Sequence, residues 1–561
     1  MRIPRSSRAV LLTVCVLTVC AAADPANGPN PTLHTVDPSA GLVLVGRFAL
    51  KQADIEAAAD NLLKASQSDP TDAELQQEAF ASALLAGRPE ALQLARSLPS
   101  SPAALLLVAN ADVKAGDWRA AEAKFAGLPG QGVTQILQPL LRAWSEQGAG
   151  ATDEALNTLR PFITGTRFRG VFALHAALIN DQAGRKVDAA RLYRLAMVEY
   201  GTLNLRLGTL VASFQARTGQ EQEARATVRA TADASPDLSI SETALQQGVA
   251  SMRVTTAADG VAETYLALAA SLQQQDAAEF SMLLLRLALD VRPDFASASL
   301  LAGERQASSG QFEAALATLA QVPPSDALTA LARLRQARYM DRLGQPAEAQ
   351  TMLAQLAEQY PQRPEPLALM AQMQRADGHF AEAAAAYGRA IERVRQPARA
   401  DWVLFYEQGV AYDRARDWPH AEPALRHALE LQPDQPFVLN YLGYAWAEQG
   451  LNLLQARRMI ERAAELRPND GSIVDSLGWV LLQQGDKPGA LRFLERAVEL
   501  HPEDATINGH LGDAYQAVGR QREAQVQWRR ALILHPDPQE EVALNAKLAA
   551  APPTTAAAET P

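Results

Sequence analysis

The sequence predicts an all-α solenoid of about fourteen stacked helix–turn–helix units, and three observations predict it. Roughly a fifth of the 561 residues are alanine, the strongest helix former. Aromatic residues, at 6%, and β-branched residues are too thin for an all-β chain. Pro468, Pro502 and Pro536 stand 34 residues apart, with Pro433 35 before Pro468. A single helical pair cannot bury its own apolar face, so units of this period must stack in a line.

In chain order, Arg2, Arg5 and Arg8 open a basic start, followed by the uncharged run Ala9 to Ala23. That run falls short of the ~20 residues a bilayer needs. It has the length of a secretory core, and Ala21-Ala22-Ala23 before Asp24 offers a cleavage site, so residues 1–23 read as a signal peptide and the protein as exported. Both cysteines, Cys15 and Cys20, lie there. Cys20 follows Leu17-Thr18-Val19, which resembles a lipobox in which Val19 replaces the usual small residue. Two alternatives follow: cleavage after Ala23 leaves an exported chain without cysteine, and acylation of Cys20 leaves one carrying a lipid anchor.

Residues 24–38 read as a flexible lead, and 39–236 as a degenerate array of six units. Its markers are Gly46-Arg47-Phe48 running to Ala58, Leu62, Ala65 and Pro70, then turns at Gly116-Asp117-Trp118, Gly184 and Gly219. Residues 237–261, with Val254-Thr255-Thr256, fit the period badly and are expected to form a non-standard helical joint. A second array spans 262–545, clearest at 402–538, and the alanine-, threonine- and proline-rich stretch 550–561 reads as a disordered tail.

The clearest units show why the markers recur. Leu442-Gly443, Leu477-Gly478 and Leu511-Gly512 are equivalent, as are Ala456, Ala490 and Ala524, then Ala463, Ala497 and Ala531. Small residues belong where the two helices of a unit cross, and Trp446, Leu481 and Tyr515 fill the space beside them. Ile460, Leu494 and Trp528 fall between the alanines. Gly485-Asp486 and Gly519-Arg520 turn the chain, and each proline stops the second helix because it lacks an N–H.

This pattern resembles the tetratricopeptide (TPR) repeat. The resemblance implies a right-handed superhelix whose long concave surface, lined by the first helix of each unit, holds an extended peptide or a partner's helix. Set in that register, Tyr406, Asp413, Arg414, Asn440, Tyr444, Asp475, Trp479, Asp513 and Gln516 point into the concave surface. Tyr444 and Trp479 are equivalent, with Asn440 and Asp475 one turn earlier. An aromatic paired with an amide or carboxylate suits a peptide-binding hot spot; the alternative is that both rings pack within the superhelix. Asn440 matches a position at which clamp-type TPRs bind a carboxylate, yet the companion lysines are missing, which argues against a carboxylate clamp.

A net charge of −11, from 52 basic and 63 acidic residues, argues against a nucleic-acid partner. The eight histidines, His420 and His427 among them, form no HExxH or other metal-ligand spacing. Two cysteines supply neither a disulfide framework nor a zinc site. No glycine-rich phosphate loop or GxSxG elbow occurs, so no enzyme, metal or cofactor is expected. Beyond the leader no uncharged run is long enough to span a membrane.

Asn440-Tyr441-Leu442-Gly443-Tyr444, Asp475-Ser476-Leu477-Gly478-Trp479 and Ile507-Asn508-Gly509-His510-Leu511-Gly512-Asp513, with Gln527-Trp528-Arg529-Arg530-Ala531-Leu532, resemble a more specific group. These are exported TPR proteins of Gram-negative bacteria. They include outer-membrane lipoproteins that bring a carboxyl-terminal-processing protease to peptidoglycan cross-link hydrolases. The resemblance implies a protein-binding adaptor of the cell envelope with such a protease and hydrolases as partners. A scaffold for exopolysaccharide secretion or envelope complex assembly is the alternative.

Overall fold

The computed structural model describes residues 38–550 apart from 166–167, 252–253, 273–277 and 395–396. The expected signal peptide with Cys20, the expected lead before Pro38 and the expected tail after Ala550 lie outside the described residues. Among the described residues the regular structure is helical throughout, with no β-strand.

The helices begin with α1 (Pro38–Lys51), α2 (Ile55–Ser68), α3 (Ala73–Ala86), α4 (Glu90–Arg96), α5 (Pro102–Ala115) and α6 (Trp118–Ala126). Next come α7 (Thr134–Gly148), α8 (Thr152–Ile163), α9 (Arg169–Gln182), α10 (Lys186–Tyr200), α11 (Leu205–Arg217) and α12 (Glu221–Asp233). The short α13 (Glu242–Gly248) precedes α14 (Ala257–Ser271), α15 (Ala278–Val291), α16 (Ala296–Ser308), α17 (Phe312–Leu319), α18 (Thr329–Arg342) and α19 (Pro346–Gln359). Then follow α20 (Glu365–Ala376), α21 (Phe380–Glu392), α22 (Trp402–Arg414), α23 (Trp418–Leu431), α24 (Pro436–Glu448) and α25 (Leu453–Leu466). The last are α26 (Gly471–Gln483), α27 (Lys487–Leu500), α28 (Ala505–Ala517), α29 (Gln521–Ile533) and α30 (Pro538–Ala550). From α1 to α12 they pack as six successive pairs and from α14 to α29 as eight, with α13 and α30 outside the pairing.

Turn chemistry sets each pair. Gly116 closes α5 with φ +77°, a left-handed conformation that costs glycine little, and the Asp117 side chain then accepts the Ala120 N–H at the start of α6. Asp486 caps α27 in the same way through Gly489 N. The Gly46-Arg47-Phe48 marker is not a turn: it lies inside α1, where Gly46 meets Leu62 at the crossing of α1 and α2. Glycine serves close helix approach as well as turns, and the sequence does not separate the two uses.

Contacts divide the chain into two compact units, Met1–Tyr360 and Pro361–Pro561. In unit 1 the stretch expected to be a joint holds 3-10 turns at Pro236–Ser241 and Val249–Ser251 around α13, and α14 already begins at Ala257. The expected concave surface of this unit is not open. The α14–α15 pair lies against α3, α5, α7 and α9, the inner helices of the earlier pairs. Tyr265 of α14 is fully buried and donates to Asn110 Oδ1 at 2.8 Å, while Asn110 Nδ2 donates to the Leu287 carbonyl of α15 at 3.2 Å. Gly260 of α14 presses on the buried Trp144 ring of α7. Lys114 pairs with Asp290 at 2.7 Å, and Arg286 Nε donates to the Leu85 carbonyl at 2.7 Å. The unit thus fills its own groove, making one continuous apolar core from Leu63 to Ala302.

In unit 2 the helix crossings follow the sequence markers. A methyl group on Gly443, Gly478 or Gly512 would lie 2.8 Å from Ile460, 2.6 Å from Leu494 and 2.4 Å from Trp528, respectively. Trp446, Leu481 and Tyr515 are buried beside them. Consecutive first helices (α24 with α26, α26 with α28) touch more than consecutive second helices do, so the first helices line the inner side of the curve.

Candidate functional site

The inner stripe of unit 2 is what α23, α25, α27 and α29 leave uncovered on α22, α24, α26 and α28. On α24 the non-buried positions after its first residue, Pro436, are Phe437, Asn440, Tyr441, Tyr444 and Glu448, an i, i+3, i+4, i+7, i+11 series along one helix face. On α26 the same register positions include the buried Asp475 and the half-buried Trp479, and on α28 Asp513, while the exposed Gln516 stands at the place of Ala447, outside the series.

The nine expected residues fall into three states of burial. Arg414 and Gln516 are exposed. Tyr406, Asp413, Asn440, Tyr444, Trp479 and Asp513 are half-buried, so Tyr444 and Trp479 are less exposed than the repeat register alone suggests. Asp475 is buried, with 6% of its surface accessible.

The carboxylates are engaged within the chain. The Tyr441 hydroxyl donates to Asp413 Oδ2 at 2.7 Å. Asp513 accepts from Trp528 Nε1 at 3.0 Å and from Lys547 Nζ at 2.7 Å. Asp475 holds His510, whose Nδ1 lies 3.0 and 2.9 Å from the two carboxylate oxygens. The His510 ring stacks on Trp479 with centroids 4.2 Å apart and planes at 19°. Burial opposes protonation of His510, but the Asp475 carboxylate outweighs it and lifts the imidazole above its ordinary value.

Burial also raises the tyrosines. Tyr406, edge-on to Tyr441 with centroids at 5.9 Å, is pushed up to about 12. Tyr444 is pushed up by burial and by Glu448, Asp475 and Glu540, so it stays a hydrogen-bond donor at any physiological pH. Two buried polar atoms of the stripe, Asn440 Oδ1 and Trp479 Nε1, have no hydrogen-bond partner among the described residues.

The structure adds residues the sequence reading missed. Tyr441 and His510 both stand two residues before the unit glycine, and each reaches back to an acid on the preceding first helix. Helix α30 packs on α28 as the first helix of a further unit would, with no second helix after it among the described residues. Its Glu540 accepts from Thr506 at 3.0 Å and sits 3.2 Å from where a Gly509 side chain would begin. Gly509 occupies the unit position of Asn440 and Asp475, so Glu540 restores a carboxylate to that column.

Unit 1 offers a cavity of about 570 Å³ whose lining includes Arg206, Arg292 and Phe295. Its cations are already answered: Arg206 grips the buried Glu263 through a forked hydrogen bond, and Arg292 lies 3.7 Å from Asp259. Among the described residues no three His, Cys, Asp or Glu side chains could share a metal ion. No described helix is long and apolar enough to cross a membrane.

Paired helices at the TPR period, with an inner stripe of aromatic and polar side chains, define an all-helical scaffold for protein–protein interaction built from tetratricopeptide-like units. The Tetratricopeptide repeat family model matches residues 331–363, which hold most of α18 and all of α19. A TPR repeat-containing protein of Pseudomonas aeruginosa is 32% identical over 97 residues, which are 17% of this chain and 16% of that protein's length. A tetratricopeptide repeat protein from Parabacteroides merdae aligns at 14% identity over 45% of this chain and 96% of its own, with a TM-score of 0.36. Yeast Tom70 aligns at 12% identity over 91% of this chain and 95% of its own, with a TM-score of 0.34.

Proposed function

We propose that the chain is an exported adaptor of the bacterial cell envelope, whose unit 2 groove holds a periplasmic carboxyl-terminal-processing protease or its cell-wall hydrolase substrates. One observation carries the groove assignment. Unit 1 buries its inner face under α14 and α15, whereas the inner stripe of unit 2 around Tyr444 and Trp479 is left uncovered by its own second helices. A half-buried indole stacked on an imidazole is a rigid apolar platform, the kind of group on which interface energy concentrates. The leader 1–23 and the resemblance over Asn440–Asp513 support the compartment and the partner.

The test is crosslinking in intact cells followed by affinity recovery from envelope extracts. A processing protease or a peptidoglycan hydrolase should be recovered with the wild-type chain and depleted with Trp479→Ala at unchanged helix content. Recovery of neither under gentle crosslinking overturns the partner, and co-purification with an outer-membrane export channel would favour the polysaccharide-secretion scaffold. Mass spectrometry of the mature N-terminus distinguishes a chain starting at Asp24 from one starting at an acylated Cys20.

A further inference from the structure

The charges along the open stripe of unit 2 are unbalanced, and the imbalance says what the groove takes. Glu448 at the end of α24 is exposed, bonds the Tyr444 hydroxyl and has no cationic partner among the described residues. The Glu540 carboxylate of α30 accepts from Thr506 and has no ion pair to Lys or Arg among the described residues, the His510 imidazole being the charge that acts on it. Asp475 between them has one imidazole, His510, to answer it. Of the cations on this side, Lys547 is paired with Asp513 at 2.7 Å and Arg375 with Glu407 at 3.1 Å, while Arg414 stands exposed at the end of α22, away from α26 and α30 in the chain. Burial, with Asp537 and Asp504, holds the Glu540 carboxyl above its ordinary value against the opposing pull of the Thr506 hydrogen bond and of His510.

Two aromatic rings flank these carboxylates at equivalent places on neighbouring helices, Tyr444 on α24 and Trp479 on α26. An aromatic face attracts a cation, most strongly when the cation is partly desolvated. Unit 2 uses this contact elsewhere: Arg520 lies 4.3 Å from the Tyr515 ring centroid and Arg426 5.0 Å from that of Trp446.

We propose that the inner stripe of unit 2 docks a lysine- or arginine-bearing segment of a partner polypeptide, its cation seated by Tyr444 and Trp479 and answered by Glu448 and Glu540. An acidic segment would meet like charge. A wholly apolar one would bury the carboxylates without partners, which is costly. The inference rests on the reading of this stripe as the docking surface and narrows the partner to a basic segment.

The test pans a phage-displayed library of random 12-residue peptides against the full-length chain, then measures retained peptides by fluorescence anisotropy. The expected peptides carry a Lys and Arg surplus and bind the E448Q/E540Q variant at least about tenfold more weakly, since both charge partners are lost while shape is kept. The Glu→Gln pair is near-isosteric, and an unchanged melting curve shows that it folds. Neutral or acidic peptides whose binding falls in Trp479→Ala would overturn the basic partner while leaving the groove in place. Basic peptides that bind wild type and E448Q/E540Q alike would place them elsewhere and overturn the proposal. A library from which nothing is retained would overturn both readings.

Discussion

Single atoms decide whether α14 can lie in the groove of unit 1. A Cβ on Gly260 would fall 2.1 Å from the Trp144 ring, inside any permissible contact, and that ring is itself anchored by its Nε1–H donating to His175 Nδ1 at 2.9 Å. Gly260→Ala should therefore destabilise unit 1 by about 1–3 kcal/mol through overpacking, read as a lower midpoint in urea unfolding. A neighbouring substitution tests polarity instead of volume. Tyr265→Phe removes only the hydroxyl that donates to Asn110 Oδ1, leaving a buried amide oxygen unanswered. The expected loss is again about 1–3 kcal/mol, with the chain's helix content unchanged by circular dichroism.

At the scale of the element, α14 is started by a reciprocal cap: Thr256 accepts from Asp259 N at 3.0 Å, and Asp259 Oδ2 accepts from Thr256 N at 2.9 Å. Thr256→Ala should cost about 1 kcal/mol, and hydrogen exchange should quicken first in α14 if this helix is held by its cap as well as by packing. Helices, their pairing and the crossing glycines were legible in the sequence because each depends on neighbours within one 34-residue period. Leu442-Gly443, Leu477-Gly478 and Leu511-Gly512 repeat for a reason contained in the unit. The filled groove was not legible. Asn110 and Tyr265 lie 155 positions apart, and nothing local in either helix shows that α14 folds back onto α5 and α7. The candidate site was legible in part. The repeat register placed Tyr444 and Trp479 on one side, but His510 departs from the serine that α26 carries at the same place, and that departure was its only signal. Without His510 in view, nothing local marked Asp475 as buried.

At the scale of the whole molecule, the two units bury histidines of opposite character, and their stabilities should answer pH in opposite directions. His175 is fully buried, accepts the Trp144 N–H and is pushed down to about 3 by burial. Its unfolded counterpart takes up a proton below pH ~6.5 while the folded ring does not, so its contribution destabilises unit 1 as pH falls, by about 1.4 kcal/mol per pH unit once well below 6.5. His510 is raised instead, because Asp475 outweighs burial. Its contribution is fully present below pH ~6.5 and is lost as pH rises through the higher folded value. Hydrogen-exchange mass spectrometry at pH 5.5 and 8.5, corrected for intrinsic exchange, separates the two. Protection around Phe172–Leu178 should be the greater at pH 8.5, and around Ile507–Leu511 the greater at pH 5.5. His510→Gln should abolish the second difference and leave the first, because the glutamine has no proton to lose. Equal protection at both pH values around Ile507–Leu511 in the wild type would mean that the Asp475–His510 contact does not titrate between them, and this part of the groove would then keep one charge across that range.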